Sequence, residues 1–292
     1  MARPSFLTFF RQSLKSESLY SDEIINTYVL RPLAGIIVWL VYPTRVTPNH
    51  ITITAAVVGF MAAILYTLDT PTAIAVAGLS VTMKDILDDA DGQLARAKEL
   101  YSRRGRFLDS IGDFLVNVTV FSSITWVVYQ SHPSLTTILL GVLSLLGITL
   151  RVSYHVFYQV SFLHKENRYK LNRLAEGITD EDLKGDRVAL RLQSIFLWIY
   201  GWQDRMMERI DRWCRAGVPE GKWDGWYSDR TGLRVSGLIG FGTEYAVLTL
   251  CSLFNSLYLY LLFNVLLMNG VWAGSILYRK AKLAPELRAA QQ

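Results

Sequence analysis

Apolar stretches close to the length of a bilayer, joined by turns of a few residues, constrain this chain more than any other feature. Asn49 to Leu68 is one such run. Others begin at Pro71 and lead into Asp88, or cover Arg106 to Gln130, Leu135 to Leu163, Val235 to Phe254 and Ser256 to Tyr278. A membrane-crossing helix needs about 20 mainly apolar residues. Hydrocarbon offers no water to satisfy backbone groups, so only helices and closed barrels cross it. Composition agrees: 51% of the 292 residues are hydrophobic, 19% are charged and the mean hydropathy is +0.24. That is too apolar for an ordinary soluble domain of this size. The expected fold is all-α, a polytopic membrane helical bundle of about six transmembrane helices.

Asp22 to Tyr42 is apolar but interrupted by Arg31 and Pro32. Proline inside a helix removes a hydrogen bond and crowds the preceding turn. An N-terminal amphipathic helix lying in the interface is expected there, not a clean span. The residues before it lack the long apolar core and cleavage site of a secretory signal. Thr47 or Asn49 can cap the first span, with Pro48 in its first turn. From His164 the chain becomes polar, and Arg187 to Trp213 alternates apolar and charged residues as an amphipathic helix does. Gly217 to Gly232 has loop chemistry, and the tryptophans of this region suit an interfacial anchor.

Charge gives the orientation. The turns at Leu68–Thr72, Ser131–Ser134 and Phe254–Ser256 carry no Lys or Arg. Arg45, the Lys98–Arg106 link, the polar insert and Arg279–Lys282 all fall on the other side. The positive-inside rule then puts both termini, and the link, at the cytoplasmic face of a multi-pass integral membrane protein. The net charge of +5 suits anionic lipid, and no nucleic-acid partner is expected. Cys214 and Cys251 lie in very different segments and are expected to stay unpaired.

The link between the second and third spans is acidic. Asp88 and Asp91 are spaced i, i+3, and Asp109 and Asp113 i, i+4, so each pair shares one helix face. If the two helices face each other, the pocket carries a formal charge of about −4, which cannot persist without counter-charge. Hard divalent cations with oxygen ligands supply it, and Mg²⁺ or Mn²⁺ with a phosphate-bearing substrate is the usual arrangement. Two ions roughly 3.5–4 Å apart can clamp a phosphoryl centre. Gly92 leaves room for a ligand near the backbone. Arg96, one turn further on, can bind phosphate oxygens bidentately. Gly105 frees the chain to turn into the next span. A divalent-cation transporter would also place acids in a membrane, but it has no need of the glycine and arginine.

The whole spacing, D-x2-D-G-x2-A-R-x8-G-x3-D-x3-D, is realised by Asp88, Asp91, Gly92, Ala95, Arg96, Gly105, Asp109 and Asp113. It resembles the signature of the CDP-alcohol phosphatidyltransferases at every fixed position. The likeness covers about Ile25 to Leu163 and includes Thr47–Thr52. It implies that Asp88, Asp91, Asp109 and Asp113 ligate two divalent ions, Mg²⁺ or Mn²⁺, and that Asp113 is also the general base. It implies that Gly92, Arg96 and Ser102 contact the CDP part of the donor, with Asn49 and Thr52 nearby for the nucleotide. The reaction implied moves a phosphatidyl group from a CDP-linked donor, CDP-diacylglycerol, to a small polar alcohol and releases CMP. The rival within the family moves a CDP-linked head group onto a lipid alcohol such as diacylglycerol. A homodimer is also implied.

The expected organisation follows. Residues 1–48 form a cytoplasmic or interfacial segment, and 49–163 a catalytic transmembrane core containing the motif at 88–113. Residues 164–234 form a cytoplasmic or interfacial insert, 235–282 a transmembrane hairpin and 283–292 a tail. Among other polar residues, Asp89 is expected to be solvated. Arg151 suits either an acceptor phosphate or an interfacial position. Glu244 suits either the polar cavity or a hydrogen bond within the bundle. His50, His132, His155 and His164 have no metal spacing and are expected to be non-catalytic.

Overall fold

The structure is a computed structural model that describes residues 23–100, 102–165, 178 and 186–289; among these it contains helices and turns and no strand. The polar run expected at 166–185, apart from residue 178, and most of the segment before Asn26 lie outside the described residues. Five helices are long and apolar enough to cross a membrane: Pro48–Thr67 (α2), Arg103–Ser131 (α4), Leu135–Lys165 (α5), Arg230–Leu253 and Leu257–Ala289 (α10). A sixth long helix, Pro71–Lys98 (α3), is apolar in its first half and charged in its second. The polytopic bundle expected from the sequence is what the chain forms.

Asn26–Val41 (α1) runs through Pro32 where a break was expected. A wide π turn, Asn26–Leu30, precedes the α-helical part, and Pro32 then falls in the first turn of that part. The N–H that proline lacks is not needed at that position. Leu30, Ala34 and Val38 of α1 pack with Ile51 of α2 and Ile86, Ala90 and Leu94 of α3. The opposite side of α1 exposes Tyr28, Val29, Leu33 and Leu40.

Local signals fix the ends of the helices that carry the acids. Thr47 caps α2 together with His50, whose Nδ1 accepts the Thr47 N–H at 3.1 Å. This reciprocal cap accounts for His50. Thr70 caps α3 by accepting the Ala73 N–H at 3.2 Å. At the other end Glu99 takes a left-handed conformation (φ 56), and the Leu100 N–H returns to the Ala95 carbonyl at 2.9 Å. That is a Schellman closure made without glycine. Lys98 Nζ donates to the Thr44 and Val46 carbonyls at 2.9 and 2.8 Å, tying the end of α3 to the link before α2. Ser102 starts α4 by accepting the Gly105 N–H at 2.8 Å.

The chain divides into two compact units. The first comprises mainly Ile24–Leu146 and Gly242–Phe263. Its helices approach closely where side chains are small: a Cβ on Gly59 would collide with Val116 Cγ1, and one on Gly78 would lie 2.6 Å from Ser252 Cβ. Small residues give intramembrane helices their contact area. Buried polar side chains bond across the same seams. Tyr66 meets Ser252 at 2.8 Å, Thr82 meets Thr249 at 2.7 Å, Tyr245 donates to Asn117 and Tyr260 donates to Glu244. Glu244 therefore has the intrabundle hydrogen bond.

The second unit comprises mainly Gly147–Phe241 and Asn264–Gln292. The expected amphipathic helix is present as Arg187–Cys214 (α6). The loop expected at Gly217–Gly232 is instead mostly helical: a 3₁₀ turn, Glu220–Lys222, then Trp223–Tyr227 (α7) and the start of Arg230–Gly237 (α8). The reason is Trp226, which is fully buried among Cys214, Val218, Leu283 and Ala284. Its indole N–H donates to Asp211 at 2.8 Å, and Tyr158, Tyr227 and Arg215 donate to the same carboxylate at 3.0 Å each. Trp198, Trp202 and Trp213 of α6 are exposed. α8 ends at Gly237, and Phe241–Leu253 (α9) resumes after a short turn in which Gly240 faces the Glu23 carboxylate closely. Both cysteines are free.

Candidate active site

α3 presents Asp88, Asp91, Gly92 and Arg96 on one continuous helix, and α4 presents Asp109 and Asp113. The Glu99 reversal lets two consecutive helices bring their acids together. Asp88, Asp91 and Asp109 each place a carboxylate oxygen within 4.8 Å of the other two. Carboxylates gathered this closely need a proton or a cation among them. Three hard oxygen donors at this spacing fit a divalent cation.

The fourth acid is turned differently. Asp113 forms an ion pair with Lys84 of α3, and their side chains are 23% and 4% exposed. A lysine at this depth of a membrane helix either snorkels to the surface or joins a polar site. Lys84 joins the site. Asp91, which is buried, accepts a short hydrogen bond from Thr52 of α2. The first span therefore positions a carboxylate of the motif directly.

The remaining predicted residues fall into two places. Around Gly92 the space is open apart from Arg96, whose Nη1 would lie 3.6 Å from an added Cβ. Arg96 itself is exposed. At Gly105 an added Cβ would lie 2.8 Å from Asn49 Oδ1 and 2.7 Å from Ser102 Oγ. Asn49, Ser102 and Gly105 thus meet at the mouth of α2 and α4, and the glycine is required by that approach.

Two polar residues differ from expectation or resolve it. Asp89 is half-buried, not solvated: Asn26 Nδ2 is 3.4 Å from its Oδ1, and Arg31 is the cation that acts on it most strongly. It faces α1, a helix whose packing on α3 has no signature in the motif. Arg151 is fully buried within the second unit and donates to the Asn264 carbonyl and Oδ1 at 3.3 Å each and to Asn269 Oδ1. The signal for its place was Asn264 and Asn269, two amides in an otherwise apolar run.

Comparison with known proteins decides the class. The family model described as CDP-alcohol phosphatidyltransferase matches residues 45–207, more than half of the chain. The chain belongs to this family. A 73-residue stretch is 40% identical to the bifunctional IPC transferase and DIPP synthase of Thermococcus kodakarensis, over 25% of this chain and 16% of that protein. The matched stretch is thus a small part of a much longer relative. The family is one of transferases acting on CDP-alcohols, which weighs against the transporter reading. The residues that gather are the four motif aspartates, together with Thr52 and Lys84 from outside the motif.

Proposed function

We propose that the enzyme transfers the phosphatidyl group of CDP-diacylglycerol to a small polar alcohol and releases CMP, using divalent ions, Mg²⁺ or Mn²⁺. The observation that carries this reading is the convergence of Asp88, Asp91 and Asp109 beside Asp113. Asp88, Asp91 and Asp109 would hold the metal. Divalent ions held there would offset diphosphate charge and stabilise the leaving CMP. Asp113 takes the proton of the alcohol hydroxyl as its oxygen bonds to phosphorus and the bond from phosphorus to CMP breaks. Arg96, beside the open face of Gly92, binds phosphate oxygens of the donor. Asn49 and Ser102, together at Gly105, line the nucleotide end, while Thr52 orients Asp91. The motif at 88–113 sits in a core of 49–163, at the cytoplasmic face by the distribution of Lys and Arg. That placement brings the nucleotide from water and keeps the acyl chains among the spans. The family resemblance supports a homodimer.

The test is CMP release by purified protein in detergent, with Mg²⁺ or Mn²⁺, from CDP-diacylglycerol and a panel of alcohols, alongside CDP-linked head groups with diacylglycerol. We expect metal-dependent CMP release with CDP-diacylglycerol and at least one small alcohol. Release only in the diacylglycerol arm would assign the reverse placement of the lipid. Asp113→Asn is expected to remove turnover and keep the folded elution profile; undiminished turnover would sink the general-base role.

A further inference from the structure

Lys84 lies one helical turn before Asp88, in the apolar half of α3, and is 3% exposed. Its neighbour Met83 is exposed. The lysine therefore turns inward, although a long side chain at this depth could extend toward the interface. Its ammonium reaches Asp113 on α4. Asp88, Asp85 and Tyr245 are the other ionisable groups that act on it. A buried ammonium is costly unless it is paired, so a lysine kept here is held by the acids around it. Those acids do not share it equally: Asp88, Asp91 and Asp109 cluster with one another, and Asp113 has the ion pair.

We infer that Lys84 is a positioning residue for the transfer reaction, a built-in cation that orients the Asp113 carboxylate and offsets part of the charge of the acidic centre. The inference rests on the proposed role of Asp113 as the base. Lys84 has three donors, so it fixes one oxygen of Asp113 and leaves the other for the hydroxyl proton. As a positive charge beside a cation site, it also repels the metal that the other acids attract. These two effects have opposite signs for metal binding and for turnover, which makes them separable.

The experiment compares wild type with Lys84→Met, Lys84→Gln and Lys84→Arg, reading Mn²⁺ affinity by electron paramagnetic resonance and CMP release by kinetics. The neutral variants should bind Mn²⁺ more tightly, while kcat falls about 100-fold, the scale of a misplaced reacting group, at little change in KM for the donor. Lys84→Arg should recover much of kcat. Wild-type kcat in a neutral variant overturns the inference, as does a parallel loss of Mn²⁺ affinity and kcat. Failure of both neutral variants to fold even with Mn²⁺ present overturns it too, because the metal should replace the missing charge. If wild type neither binds Mn²⁺ nor releases CMP, the proposed function itself fails. That result is distinct from normal wild-type behaviour with indifferent Lys84 variants.

Discussion

Thr52 shows how a single hydroxyl outside the motif can govern it. Its hydrogen bond to Asp91 fixes the carboxylate that is most buried of the three clustered acids, and such outer partners tune metal affinity by 10–100-fold. Thr52→Val is therefore expected to weaken Mn²⁺ binding by about tenfold, whereas Thr52→Ser keeps it; isothermal titration of the two variants checks this. The sequence brought Thr52 forward only through the resemblance, and as a neighbour of the nucleotide. Contact between α2 and α3 is tertiary, and no spacing in one helix predicts which hydroxyl reaches which acid on another. The motif acids were legible because their spacing is local. Asp89 was misread for the opposite reason: its environment is made by Asn26 and Arg31, more than fifty positions away. Arg151 makes the same point. Its partners Asn264 and Asn269 predict that Arg151→Ala lowers the thermal unfolding midpoint of the purified protein. A pure rise in acceptor KM with unchanged stability would contradict a structural arginine.

Among the elements, α7 carries the clearest lesson. Read from composition, Gly217–Gly232 is a loop, because glycine, proline and aspartate dominate it. Trp226 overrides that composition: burial of the indole and its bond to Asp211 supply what local propensity lacks. Trp226→Ala is expected to destabilise the second unit by about 3–5 kcal/mol, visible as earlier unfolding in a denaturant series followed by the remaining tryptophans. Cys214 in the same cluster offers a second measure. Burial first, and the Asp211 charge second, push its thiol up to about 11, so at pH 8 it is held as the unreactive thiol. Maleimide should leave Cys214 unmodified in the native protein and react once the cluster opens; mass spectrometry of the alkylated peptides reads the difference. The continuity of α1 through Pro32 was misjudged for a comparable reason. Pro32 does disfavour an ordinary helix interior, but the π turn before it changes which turn it occupies.

For the whole molecule, the apolar runs and the turns between them were readable directly, since bilayer length and backbone satisfaction leave few choices. The positive-inside argument makes a prediction at this scale. Single cysteines at Leu68 and Leu100, on either end of α3, should label from opposite faces of sealed vesicles, with Leu100 reached only from the cytoplasmic side. Labelling of both from one face would contradict the orientation. The split of the chain into two compact units was not readable in this way. Two of its boundaries fall inside α5 and α10, where the apolar pattern continues without punctuation.

The acids and the two residues that steer them, Thr52 and Lys84, all lie between Pro48 and Ser131, on three helices joined by very short links. The reactive centre is therefore portable in a sense that many active sites are not. Sites gathered from distant parts of a chain must inherit all those parts together. Here one contiguous segment carries the acids and the side chains that hold them, so it can be appended to, or embedded in, chains of very different length. The acceptor is then free to be set by whatever the rest of the polypeptide brings to the mouth of the site. Diversification of substrate need not disturb the chemistry, because the parts that would vary are encoded elsewhere.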